Sequence, residues 1–219
     1  MKNSNFSKFM MLWFGEIVSA TGGGLTSFGL GVYVFQTTGS AGKMALVTLI
    51  GFLPTILLSI PAGALADKYD RRILMMLGDG LSALGVIYIL IHMIMGNAGF
   101  VNICIGVFIS AAFSSLLEPA YRATVTDILT EDEYAKASGL ISLGGSARYL
   151  VSPFIAGLLL ASHSVSLLLI IDISTFALTV ITTLADCRAP DLFQSGGLHR
   201  QPCQKSGRLF NRYQENERN

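Results

Sequence analysis

Charge is the first thing this chain lacks. Only 13% of its 219 residues are Asp, Glu, Lys or Arg, about half of the roughly 25% that soluble domains carry. The net charge of +1 leaves no basic excess, so nucleic acid is not expected as a partner. Cysteine is scarce too. Cys104, Cys187 and Cys203 show neither CxxC spacing nor a neighbouring histidine cluster, so neither a disulfide framework nor a metal site is expected. Cys104 reads as a small buried apolar residue. The sequence also offers no nucleophile–base pattern and no Gly-x4-Gly-Lys-Ser/Thr phosphate loop. An enzyme, a cofactor and an ATP-driven pump are therefore not expected.

What the chain has in quantity is hydrophobic length. Hydrophobic residues make up 52% and the mean hydropathy is +0.58. Six apolar runs fall at about 10–36, 43–65, 73–95, 98–118, 137–161 and 165–185, each near the roughly 20 residues that cross a bilayer core. The fold class is an all-α membrane protein with six transmembrane helices. Residues 1–9 read as a cytosolic leader and 10–185 as the bundle. Residues 186–219, with Pro190, Pro202 and both signs of charge, read as a disordered cytosolic tail. The first run is too long and too rich in glycine for a cleavable signal, and a second follows closely.

Charge sets the orientation. With the N-terminus inside, Lys2, Lys8, Lys68, Arg71, Arg72, Arg122 and Lys136 fall on the cytosolic face, and the tail adds more. Only Lys43 stands at the other face. That bias predicts both termini in the cytosol of a multi-pass plasma-membrane protein.

Ionisable residues inside the spans are functional hypotheses by default. Glu16, Arg148 and Asp172 are the candidates for a substrate or proton pathway, with Glu16 the first choice for a proton or a cationic substrate. Arg148 and Asp172 come to similar depths when counted from opposite faces at ~1.5 Å per residue, which predicts an ion pair. His92 and His163 fall at span ends and read as interfacial side chains. Asp79, two turns into the third span, is expected to pair with Arg71 or Arg72. Thr21-Gly22-Gly23-Gly24-Leu25 reads as a helix-packing face, with a substrate-contacting hinge as the alternative, and Pro54 and Pro61 as bends in the second span. Glu131-Asp132-Glu133 reads as a solvated face.

The stretch Gly63-Ala64-Leu65-Ala66-Asp67-Lys68-Tyr69-Asp70-Arg71-Arg72 concentrates charge in a short connection between two apolar runs. It resembles the signature loop between helices two and three of the major facilitator superfamily, Gly-x-Leu-Ala-Asp-Arg-x-Gly-Arg-Arg. Gly63, Leu65, Ala66, Asp67, Arg71 and Arg72 match, and Asp70 in place of glycine resembles the macrolide and siderophore exporters. In the fifth span, Gly139, Ser152, Pro153 and Gly157 fall on the superfamily's antiporter motif. Arg148 stands there in place of a glycine.

The resemblance covers about residues 8–185 and implies the N-terminal half of the major facilitator fold, two inverted three-helix repeats facing a second half across a cavity. It implies a conformational clamp of Gly63, Asp67, Arg71, Arg72 and Asp79, and a helix-packing role for the antiporter-like residues. The expected function is secondary active, proton-driven efflux of a drug-like or siderophore-like small molecule by a carrier truncated to one half. The alternative is a non-transporting membrane fragment that only assembles with another half. Expected partners are the lipid bilayer, the small-molecule substrate, and a second six-helix half or another copy of this chain.

Overall fold

The computed structural model describes residues 6–69 and 71–188. Among them are seven helices and no strand: α1 (Phe6–Thr38), α2 (Ala41–Lys68), α3 (Arg71–Ile94), α4 (Phe100–Ser114), α5 (Leu117–Ile128), α6 (Glu131–Leu160) and α7 (Val165–Arg188). Five stretches are long and apolar enough to cross a membrane, and α7 adds a shorter apolar run, Val165–Ala177. The all-α bundle of six spans expected from hydropathy is the fold observed. Residues 189–219, and with them almost all of the proposed tail, lie outside the described residues. The proposed leader ends inside α1, which begins at Phe6.

The connections on one face are short because glycine lets the helices stop abruptly. Gly39 takes a φ of 63°, a left-handed conformation that costs glycine little, and its N–H reaches the Phe35 carbonyl at 2.8 Å. The Ser40 hydroxyl then accepts the Lys43 N–H and starts α2. Gly96, with φ 69°, ends α3 in the same way.

The fourth span is two helices. Pro119 has no N–H to give to the carbonyl of Ser115, four residues back. The chain answers by closing α4 at Ser114, tightening through Leu116 N–H to Phe113 O at 3.1 Å, and restarting at Leu117. Together α4 and α5 form one apolar stretch, Phe100–Thr126.

Packing follows from small residues, since lipid provides no hydrophobic drive between helices. Helix α1 lies against α2, α5, α6 and α7, while α3 lies against α4, α5 and α7. One buried cluster joins Leu30, Val34, Val47, Val86, Ile89 and Ile103 at mid-bundle; a second gathers Phe9, Tyr121, Val125 and Ala137. The outward faces are apolar as well: Ile60 is 84% exposed and Leu150 75%, which suits a surface solvated by acyl chains.

Candidate substrate cavity and its charged lining

The helices enclose a cavity of about 370 Å³ with walls from every one of them. Helix α1 forms its spine. Trp13, Glu16, Ser19, Gly23 and Thr26 of that helix all line it. The cavity brings together Glu16, Arg148 and Asp172, and adds Asp79.

Asp172 is 1% exposed and rests directly on the α1 backbone. A Cβ on Gly22 would lie 2.9 Å from Asp172 Oδ1 and 2.6 Å from Thr175 Oγ1, so only glycine permits this approach. Thr26 lies beside Asp172, yet neither the Thr26 hydroxyl nor Asp172 Oδ1 has a partner of full hydrogen-bonding geometry. Arg148 reaches the neighbouring turn of α1 from the other side, its Nη2 3.6 Å from the Cβ position of Gly23.

Sequence depth therefore placed Arg148 and Asp172 at the same level correctly, but the direct ion pair expected from it does not form in the structure. The α6 and α7 side chains approach different residues of the glycine run. Arg148 lies instead within electrostatic range of both Glu16 and Asp172.

Lower on α1, Glu16 lies in electrostatic range of Asp79, Glu118 and Tyr121. Asp79 is 9% exposed, and its Oδ2 accepts a hydrogen bond from Thr179 Oγ1 at 3.1 Å, with Ser19 beside it. This binds α3 to α7 and to α1, and it turns Asp79 toward the cavity. Arg71 reaches the other way: its Nη1 donates to the Ala123 carbonyl of α5 at 2.7 Å. The rest of the proposed clamp is described only in part. Asp70 and the side chains of Asp67 and Arg72 lie outside the described residues. Gly63 has open space at its Cβ position. The charged stretch is itself mostly helical, since α2 continues through Lys68 and α3 starts at Arg71.

Residues 4–192 match the profile of the transmembrane secretion effector family. The chain belongs to that family, within the major facilitator superfamily. It is similar to macrolide efflux protein A of Streptococcus pyogenes, 27% identical over 186 residues that make up 84% of this chain and 45% of that protein. It is also similar to the multidrug efflux pump Tap of Mycolicibacterium fortuitum, 25% identical over 169 residues, 74% of this chain and 41% of the pump. The uncharacterized transporter YfiS of Bacillus subtilis is 25% identical over 150 residues, 67% and 34% of the two chains. This member of the family spans less than half the length of these curated relatives.

Within this chain, the antiporter-like residues divide. Ser152 is fully buried, and its hydroxyl donates to the Thr21 carbonyl at 3.2 Å. A Cβ on Gly24 would lie 2.5 Å from Ser152 Oγ. Gly139 and Gly157 have open space where a side chain would stand, and Pro153 lies inside α6.

Three features escaped sequence reasoning. Gly144 is the second close approach of α6 to α1, beside the Trp13 Nε1–H that donates to Leu140 O at 2.9 Å. Motif alignment drew attention to other glycines. Glu133 is not merely solvated: its Oε2 accepts the Thr130 N–H at 3.2 Å and the Thr130 hydroxyl at 2.9 Å. The Thr-x-x-Glu spacing ahead of α6 carried that signal. Thr26 and Tyr121 also face the cavity, and nothing in the sequence distinguishes them from ordinary helix residues.

Proposed function

We propose that this chain is one half of a secondary active transporter that exports a drug-like or siderophore-like small molecule in exchange for protons. The observation that carries this reading is the cavity: a space of about 370 Å³, within the ~300–1,000 Å³ of small-molecule sites, with ionisable side chains inside a membrane-spanning bundle. Ionisable groups within membrane spans are costly, and those that occur mark substrate or proton pathways. Glu16, Asp79 and Asp172 are the candidates to carry protons or contact substrate, and Arg148 is placed to couple to two of them.

The whole carrier's activity would require a second six-helix half. A conformational clamp of Asp67, Arg71 and Arg72 would then work against that second half. Alternating access needs two bodies that rock about a shared site, and Arg71 already anchors the α2–α3 connection to α5 in this half. The second reading is a membrane-spanning bundle without transport of its own.

Proteoliposomes carrying this chain, alone and with a candidate second half, distinguish the two readings. A fluorescent amphiphile should leave the vesicles only when an opposing proton gradient is imposed and both halves are present. Flux that ignores the gradient would refute proton coupling. Flux from the chain alone would refute the half-carrier. Asp67→Asn should slow flux at least several-fold without reducing membrane insertion; unchanged flux would remove Asp67 from the clamp.

A further inference from the structure

Two buried oxygens on packed helices have no hydrogen bond. Thr26 of α1 is 7% exposed and Asp172 of α7 is 1% exposed. The Thr26 hydroxyl and Asp172 Oδ1 stand beside each other, and neither has a hydrogen-bond partner, although buried polar groups nearly always find one. A helical threonine commonly turns its hydroxyl to the carbonyl one turn back, as Thr21 and Thr38 do on the same helix. Thr26 does not. A third oxygen joins the two. The point where a Cβ on Gly22 would stand is 2.9 Å from Asp172 Oδ1 and 2.6 Å from Thr175 Oγ1. Thr175 gives its own proton to the Asp172 carbonyl at 2.7 Å, so toward other neighbours it offers lone pairs.

The surroundings decide what these oxygens can hold. Along the α1–α7 seam, Leu25 and Leu168 are buried with Phe28 and Leu159 against them, while Thr26 and Asp172 border the cavity. The oxygens are therefore backed by apolar side chains and reached from the cavity. Arg148 and Asp79 are the charged neighbours of Asp172. Arg148 comes from α6 to the Gly23 and Gly24 turn and lies in range of Glu16 as well; Asp172 Oδ1 receives no bond from it. A proton on Asp172 would supply one donor, enough for one pair of oxygens. A hard cation takes lone pairs from all three at once, and its charge balances a carboxylate that is costly unpaired in a membrane span. A divalent ion would stay unbalanced by one carboxylate, and among the described residues no group of three His, Cys, Asp or Glu is placed to hold one. The close approach that Gly22 allows favours a small ion.

We propose that Asp172 Oδ1, Thr26 Oγ1 and Thr175 Oγ1 bind a sodium ion that ties α7 to α1. The site differs in role from substrate binding and does not depend on the chain being half of a transporter. It reserves Asp172 for the ion, so a proton pathway falls to Glu16 and Asp79. An ion held only by the folded bundle stabilises it by mass action. Li⁺, small and hard, replaces Na⁺ there; K⁺ and choline do not.

The test adds radiolabelled Na⁺ to the full chain in nanodiscs of zwitterionic lipid, at constant ionic strength made up with choline, with empty nanodiscs subtracted. Saturable binding is expected, displaced by Li⁺ and not by K⁺, and the thermal midpoint should rise as Na⁺ replaces choline. Asp172→Asn should abolish both effects. Thr26→Val keeps the shape of the side chain and removes its oxygen, and it should weaken Na⁺ about tenfold or more. It stands in if Asp172→Asn fails to fold. A chain that elutes monodisperse yet binds no Na⁺ saturably would overturn the site, as would binding that Asp172→Asn or Thr26→Val leaves unchanged. Displacement by K⁺ as strong as by Li⁺ would overturn the assignment to a small ion. Each of these results leaves proton-driven export standing, because that reading is tested by flux.

Discussion

Gly22 and Gly24 set how closely α1 is approached from two sides, by Asp172 and Thr175 of α7 and by Ser152 of α6. Packed interiors respond to an extra methyl with shifts that cost about 1–3 kcal/mol. Gly24→Val should therefore lower the thermal midpoint of the purified protein by several degrees, and adding Ser152→Gly should recover part of the loss. Equal midpoints for Gly24→Val and the unsubstituted chain would show that the α1–α6 contact does not constrain the bundle. Glu133 makes a second residue-scale test. Glu133→Ala removes both hydrogen bonds to Thr130 at the start of α6, and cap losses run about 0.5–2 kcal/mol. Amide exchange should then speed up in the first turn of α6 and stay unchanged at its centre. The packing role of the glycine run was legible from composition alone. The identity of its partners was not, because Arg148, Ser152, Asp172 and Thr175 reach it from more than 120 residues away.

At the scale of elements, α3 and α4 pack backbone against backbone. A Cβ on Gly85 would lie 2.5 Å from the Gly106 carbonyl oxygen, so the two backbones are in contact. Ser82, fully buried, shares hydrogen bonds with Ser110 and Ser114 at 2.8 Å each. These hydroxyls satisfy one another where lipid cannot. Gly106→Leu is expected to prevent the pair from closing and to abolish recovery of monodisperse protein by size-exclusion chromatography. Ser82→Ala should cost only about 1–3 kcal/mol, since it leaves two hydroxyls to find each other or a helix carbonyl. A reversed ranking of the two variants would move the closure of this pair from the glycines to the serines. Span existence was legible here from hydropathy. The apolar run ends at about 118 and Pro119 marked the break there, while α5 continues beyond it as an amphipathic helix whose existence run length could not give.

At the scale of the whole molecule, orientation and assembly remain the two consequences to test. The excess of Lys and Arg on one face predicts that a reporter fused after Asn219 is active only in the cytosol. Lys43, beside the short Gly39–Ser40 connection, should be labelled by an impermeant amine reagent from outside. A reporter active outside, or Lys43 labelled only after lysis, would invert the topology. The proposed half-carrier predicts association. Crosslinking in native membranes should capture this chain with a second six-helix half or a second copy, because polar cavity residues facing lipid are unfavourable. A long-lived strict monomer that transports alone would refute it.

The sequence by itself determined the solvent and the class of fold. A deficit of charge and six apolar runs leave little besides a helical membrane bundle, because lipid satisfies no backbone group and each span must bond internally. It also determined the family, since the Gly63–Arg72 pattern is local and contiguous. The tertiary structure alone decided which charges meet. Glu16, Asp79, Arg148 and Asp172 sit on four helices, and which of them share a cavity depends on where glycine lets helices touch. One-dimensional depth predicted that Arg148 and Asp172 lie level, and they do. Depth carries no azimuth around a helix, and azimuth is what separates an ion pair from two charges on different residues of the same glycine run.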